Sequence, residues 1–276
     1  MSFLGSYFTY DGTTSREYGL MLVSIDKSIR EVPSGSGIEI QNVSVMRNER
    51  KMILGIKENQ ALEFPIEIVS KDPIDLPTFL RIKQWLFGVT GYKKLQIEEE
   101  YYSDFYYNCI IKAIEDITIG GEYYGLRCNV ECDSPYAYTF PLTKEYKSDK
   151  SISSTGTFDN FSAELYGLKP IIEFKLASNG SSFAIDNKTT GRAFEMTGLN
   201  PKEIIKIDNK NQIITSSTGL NRFKNMSKGL KKLQKSGEYR NCGYFYLEHG
   251  INNLEFIGYW EYLKIEYQIC VRLGGG

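Results

Sequence analysis

Glu98, Glu99 and Glu100, followed by Tyr101, Tyr102 and Asp104, are the densest set of acids in the chain. Two carboxylates flanking a glycosidic bond can serve as acid and base or nucleophile, so a cell-wall hydrolase would have to be built here. No partner motif accompanies them, and a solvated strand end explains the same residues. Cys128 and Cys132 are spaced for a metal search. On a strand, however, Leu126, Cys128, Val130 and Cys132 share one face and read as a row of small core residues. A zinc site would need two further ligands, and neither a second close cysteine pair nor a neighbouring His is present. Asp208-Asn209-Lys210-Asn211-Gln212 imitates the start of a calcium loop, but Lys210 stands at a ligand position and Gly219 where the bidentate Glu belongs. It reads as a polar hairpin turn. His249, in Leu247-Glu248-His249-Gly250, lacks any nucleophile signature and reads as a surface turn. The aromatic group Tyr244, Tyr246, Tyr259, Trp260 and Tyr262 offers rings that could stack on sugars, while alternation suggests that part of the set is simply core; Tyr259, Trp260 and Tyr262 are the candidate carbohydrate contacts.

Composition restricts the chemistry further. Thirty-three Lys and Arg against 34 Asp and Glu leave a formal net charge of −1, too little single-sign field to hold a nucleic acid as a main function. One His in 276 residues removes the commonest acid–base catalyst and metal ligand. No cofactor is indicated. The 20 Tyr and 15 Phe suit half-buried pleated surfaces. Five cysteines are odd in number and sparse, as in a reducing compartment, and the start Met1-Ser2-Phe3-Leu4-Gly5 resembles no signal peptide. Synthesis in a cytosol is therefore expected, with the five Asn-x-Ser/Thr matches falling by chance.

The elements that would position these residues are mostly strands. Ile110–Ile119 and Glu122–Cys132 flank Gly120-Gly121, which supplies the positive φ angles of a tight hairpin. Ile38 to Val45 alternates until Asn42 breaks the pattern, which predicts a bulge or bend. Asp75 can cap a helix that tolerates Pro77 in its first turn, carries Phe79, Leu80, Ile82, Trp85 and Leu86 on an apolar stripe, and stops before Gly88. A second helix is expected from Phe223 to Lys235, with Phe223, Met226, Leu230 and Leu233 inward and Lys224, Lys228, Lys231, Lys232 and Lys235 outward. The Ser-, Thr- and Lys-rich stretch 141–162 reads as a linker between a domain at 1–140 and another at 163–276. Short runs at Ile171–Leu176, Ser182–Asn187, Ile204–Asp208, Gln212–Ser216, Tyr244–Leu247, Asn253–Ile257 and Tyr262–Val271 predict a jelly-roll β-sandwich.

Several motifs resemble the distal tail proteins of long-tailed phages and related tail-like particles of Gram-positive bacteria. They are Phe8-Thr9-Tyr10-Asp11-Gly12 with Tyr18-Gly19-Leu20, the sequence Gln84-Trp85-Leu86, Lys94-Leu95-Gln96-Ile97, Phe105-Tyr106-Tyr107-Asn108-Cys109, and above all Cys132-Asp133-Ser134-Pro135-Tyr136-Ala137-Tyr138. Ile207-Asp208, Leu247-Glu248-His249-Gly250 and Asn252-Asn253-Leu254-Glu255-Phe256 carry it into the second half, although His249 stands where the family often has Pro. The resemblance implies a mainly β protein: an N-terminal β-barrel or split-barrel domain with one packed helix, and a C-terminal galectin-like sandwich. It also implies a virion protein at the distal end of the tail, and the missing catalytic motifs, neutral charge balance and two-part β architecture point to a scaffold that catalyses nothing. As implied, it is a homo-hexameric ring between the tail tube protein and the tail-tip or tail-associated lysin protein, with DNA only in transit and receptor-binding proteins at the periphery.

In that setting Glu98, Glu99 and Glu100 would line the channel and repel phosphate. The stretch from Val32 to Leu62, with Pro33-Ser34-Gly35-Ser36-Gly37 at its base, is too long for a turn and alternates apolar residues. Ile38, Ile40, Val43, Val45, Met52, Leu54 and Ile56 are therefore candidates for joining neighbouring subunits. An ordinary hairpin within one barrel is the competing account. At the level of function, the alternative to a scaffold is a carbohydrate-binding module carried by the sandwich.

Overall fold

The computed structural model describes residues 5–23, 38–43, 52–58, 61–100, 102–148, 152–164, 166–233 and 236–272. The chain is mainly β and divides into two compact units, Met1–Phe140 with Cys270–Gly276, and Pro141–Ile269.

The first unit is built on six strands hydrogen-bonded in the order Tyr7–Tyr10, Lys93–Glu98, Phe105–Ile119, Glu122–Cys132, Glu63–Ile74 and Leu20–Val23. The last returns to the first through an antiparallel bridge between Ser6 and Leu22, with Gly5 N donating to Leu22 O at 2.7 Å and Leu22 N to Ser6 O at 2.9 Å. The sheet thus closes into a barrel. Alternation fills it: Phe8, Tyr10, Leu22, Phe64, Ile66, Ile68, Leu95, Ile97, Cys109, Ile111, Leu126, Cys128, Val130 and Cys132 are all buried in one cluster. The row expected at 126, 128, 130 and 132 is at most 1% exposed and faces this core. Gly120 (φ 61°) and Gly121 (φ 91°) make the expected turn of the longest hairpin.

One helix, Leu76–Phe87, packs on the barrel. Asp75 caps it, accepting from Thr78 N at 2.8 Å, and Phe79, Ile82 and Leu86 are its buried face. Leu80, expected on that stripe, is 56% exposed. Trp85 holds the helix to the opening strand: it stacks on Phe8 at 5.8 Å and Tyr18 at 5.3 Å, and its Nε1 donates to Tyr10 O at 3.0 Å.

The second unit is a sandwich. A five-stranded sheet runs Leu142–Lys147, Trp260–Tyr267, Ile171–Leu176, Ile204–Asp208, Ile213–Ser216. A six-stranded sheet runs Ser153–Asn160, Gly250–Gly258, Ser182–Asn187, Arg192–Thr197, Tyr239–Cys242, Gly229–Lys232. Phe174, Ile205 and Leu263 of the first meet Phe183, Phe194 and Phe256 of the second in one core, the Phe174 and Phe183 rings 4.3 Å apart.

Three expectations are corrected. Residues 141–162 are no linker, because Leu142–Lys147 and Ser153–Asn160 form an edge strand of each sheet. The helix expected over Phe223–Lys235 is a single 3-10 turn, Phe223–Asn225, followed by the strand Gly229–Lys232. Gly229, with φ 70°, lies where an α-helix would need negative φ, and Leu230, assigned inward, is 74% exposed. Tyr244–Leu247 forms no strand; Leu247 makes only an isolated bridge to Leu168.

Phe174 is fully buried between the sheets, so Phe174→Ala should cost about 3–5 kcal/mol. Denaturant unfolding followed by Trp260 fluorescence in a Trp85→Phe background would read this, and a loss below about 1 kcal/mol would contradict the packing described.

Candidate functional site

The three acids of the first unit do not form a uniform anionic wall. Glu98 ends the strand Lys93–Glu98, opposite Tyr7. Its Oε2 lies 2.8 Å from Arg16 Nε, while its Oε1 accepts from Thr14 Oγ1 at 3.1 Å and Thr9 Oγ1 at 3.2 Å. Burial pushes the carboxyl up, but these hydrogen bonds and the Arg16 charge outweigh it and hold Glu98 below the ordinary carboxylate range. It acts as a clasp for the turn Ser15–Tyr18. Glu99 is half-buried, and its backbone carbonyl accepts from Tyr102 N and Ser103 N, both at 2.9 Å. Of the three, Glu100 is the one with an exposed side chain.

The candidate arm is a hairpin of Ile38–Val43 and Met52–Glu58. Ile38 pairs with Glu58, Ile40 with Ile56 and Val43 with Met52, and the register shifts between Gln41 and Asn42, where the sequence pattern breaks. Among the described residues these two strands form a sheet of their own. Val43 is 46% and Leu54 66% exposed; Val45 lies outside the described residues. A two-stranded sheet alone is marginal in water, which makes this hairpin the element most in need of a partner surface.

The aromatic group of the second unit does not make a sugar platform. Trp260 is 3% exposed and sits in the core, edge-on to Phe256 at 5.9 Å and Phe183 at 6.0 Å. A bulge turns it inward: Lys175 pairs with Tyr262 and Leu176 with Trp260, so Glu261 is the extra residue. Tyr262 is half-buried, its hydroxyl donating to Glu173 Oε1 at 3.1 Å. Tyr259 is half-buried too, its carbonyl accepting from Ala177 N at 3.0 Å.

The face of the six-stranded sheet away from the core is also occupied. Leu233 packs there on Ala184, Ala193, Cys242 and Ile257. Beside it, fully buried Asp186 pairs with Arg240 Nε at 2.7 Å and Lys188 Nζ at 2.7 Å, and Lys188 reaches Glu255 at 2.8 Å and Glu238 at 2.9 Å. This network was not visible in the sequence. Nor was the pair of Glu203 with Arg222, in which Nε donates to Oε1 and Nη2 to Oε2, both at 2.7 Å.

The remaining sequence candidates have structural roles. Asp208 Oδ1 accepts from Lys210 N at 3.0 Å and Asn211 N at 2.8 Å, closing a hairpin turn. His249 is exposed, with Nδ1 3.2 Å from Ser162 O. Among the described residues, no three His, Cys, Asp or Glu side chains are grouped to hold a metal, and no helix is long and apolar enough to cross a membrane.

Comparison with known proteins decides what this assembly of parts is. A family model described as phage tail protein N-terminal domain matches residues 3–134, and one described as phage tail C-terminal domain matches 136–227. The chain belongs to a family of phage tail proteins. Its fold is that of a distal tail protein: the crystal structure of Dit from phage SPP1 superposes with a TM-score of 0.64 at 10% identity, over 96% of this tail protein and 99% of the other. SPP1 Dit is described as a paradigm of the hub adsorption apparatus in phages infecting Gram-positive bacteria. No curated protein matches the sequence. The Pro-Tyr-Ala-Tyr signature lies at the join of the two matched segments, where Tyr136 is buried and the Tyr138 hydroxyl donates to Ser134 Oγ at 2.7 Å.

Glu203 is held below its ordinary value of 4.5: burial pushes it up, and Arg222 with Ser216 more than offsets this. Its folded value is depressed, so its contribution is complete above about pH 4.5 and declines as pH falls through the lower folded value. Arg222→Ala strands a buried carboxylate and should cost about 3–5 kcal/mol near neutral pH. Part of that loss should be recovered at about pH 4, where the stranded acid protonates. Denaturant midpoints at both pH values test this; an equal, small loss at each would contradict the buried pair.

Proposed function

We propose that this tail protein is a structural hub at the distal end of the tail and catalyses no reaction. In this reading six barrel units close into a ring around an axial bore. The ring joins the end of the tail tube to the tail-tip protein that carries the lysin, DNA passes through the bore, and receptor-binding proteins attach at the periphery. The observation that carries the proposal is the joint family match of both segments to phage tail domains, on a fold shared with a hub protein over nearly the whole chain.

The geometry supports a ring for two physical reasons. First, the barrel interior is packed with side chains from all six strands, so a passage wide enough for DNA has to be made between copies. Second, the bridge of Ser6 with Leu22 joins the two ends of the six-strand path, so its long strands offer little free edge. Lateral association then falls to elements added to it, and among the described residues the hairpin Ile38–Val43 with Met52–Glu58 pairs with no other strand. Ile38, Ile40, Val43, Val45, Met52, Leu54 and Ile56 are assigned to the subunit contact on that basis. Glu99 and Glu100 are assigned to the bore, with Glu98 beside them engaged by Arg16.

Ile40→Asp with Ile56→Asp puts two charges at directly opposed positions of the arm. The double variant should remain folded by circular dichroism and elute at single-copy mass, where the wild type elutes at six copies in multi-angle light scattering. A variant that still forms six-copy particles would remove the arm from the interface. Replacing Glu99 and Glu100 by Gln should slow DNA release from assembled particles without changing ring mass; unchanged release would remove these acids from the bore.

A further inference from the structure

The five cysteines are buried, and the proposed function uses none of them. Two of them stand in a special relation. Cys109, on the strand Phe105–Ile119, lies directly opposite Cys132, on the strand Glu122–Cys132. The hydrogen bonds around them fix the type of site. Asp133 N donates to Asn108 O at 2.9 Å, one position outside the pair, whereas Cys132 N turns to the other neighbouring strand and donates to Leu62 O at 2.8 Å. Cys109 and Cys132 are therefore a non-hydrogen-bonded antiparallel pair, the arrangement that brings opposed Cα atoms to about 4.5 Å and their side chains closest. That spacing falls inside the range a disulfide spans. Both side chains are fully buried in the barrel core, so they share one face.

We propose that Cys109 and Cys132 form a latent redox site: a cross-strand cystine that closes when the chain folds in the presence of a low-molecular-weight disulfide. The other thiols do not compete. Cys128 lies four residues along the same strand from Cys132, about 13 Å away, and pairs across with Ala113 and Ile66. Cys270 stands opposite Tyr138, and Cys242 belongs to the second unit.

The step is thiol–disulfide exchange. The thiolate of one cysteine attacks glutathione disulfide, breaking its S–S bond and expelling one glutathione thiolate. The second cysteine's thiolate then attacks the resulting mixed disulfide, forming the Cys109–Cys132 bond and releasing the second glutathione. Two protein S–H bonds are lost, and two glutathione thiols take up the electrons and protons. The folded barrel resists this reaction, because burial pushes the Cys132 thiol up to about 12 and raises Cys109 as well, and the thiolate is the reacting form. Closure belongs to folding or to opening of the barrel. The bond would tie the longest hairpin at the end away from its Gly120-Gly121 turn.

The test is to refold the full chain from denaturant in glutathione buffers of rising oxidised fraction, alkylate, and map peptides by mass. A linked Cys109–Cys132 peptide should dominate in the folded fraction, with Cys128, Cys242 and Cys270 alkylated. Oxidation should also raise the unfolding midpoint of the wild type and of Cys128→Ser, and leave Cys132→Ser unchanged. Alkylated Cys109 and Cys132 at the most oxidising ratio, or cross-links scattered among all five cysteines, would overturn the proposal. Should refolding yield be low, the same map of protein synthesised in an oxidising cell extract gives the same two outcomes.

Discussion

Closure of a six-stranded sheet on a solid interior is the constraint from which the first unit follows. Ser6 and Leu22 complete the circle, and Phe8, Ile68, Cys128 and the residues layered with them leave no room inside. A small barrel of this kind gains stability by burying one side of every strand, and in doing so it gives up an internal channel. Whatever the unit joins must be met by its additions: the helix fixed by Trp85, the acidic turn clasped through Glu98 and Arg16, and the hairpin of Ile38–Val43 with Met52–Glu58.

The second unit follows another logic. Its sandwich leaves edge strands at Leu142–Lys147, Ile213–Ser216, Ser153–Asn160 and Gly229–Lys232, and it buries two charged side chains completely. Asp186 and Glu203 are both fully buried, and each is held by an arginine distant in sequence, Arg240 and Arg222. Pairs of this kind contribute little beyond an apolar substitute, yet removing one partner is costly. Their effect is to fix which loop lies on which strand. Leu233 and the Asp186 network cover one sheet face and Trp260 is turned inward, which takes its largest ring from the carbohydrate-binding alternative.

Local pattern carried the sequence reading where one physical rule governed several adjacent residues. The Gly120-Gly121 hairpin, the Asp75 cap with Pro77, the buried row from Leu126 to Cys132 and the break at Asn42 were all legible for that reason. The reading failed where an edge strand offered only weak alternation. Leu142–Lys147 and Ser153–Asn160 expose much of their length and look like linker. In 223–235, lysines recurring every three or four residues imitate a helix, but Gly229 adopts positive φ and the chain continues as a strand. Trp260 was misassigned because a one-residue bulge reverses the face on which it falls, and no local signal marks the extra residue. Glu203 and Arg222 lie 19 residues apart in sequence, and only tertiary folding brings them together.

The central claim is that copies of this chain associate around a shared opening that none of them contains alone. Electron microscopy of the purified full-length protein tests it most directly. The account predicts six-fold annuli with an open centre as the dominant particle; a uniform field of single copies, at concentrations well above those of tail assembly, would contradict it.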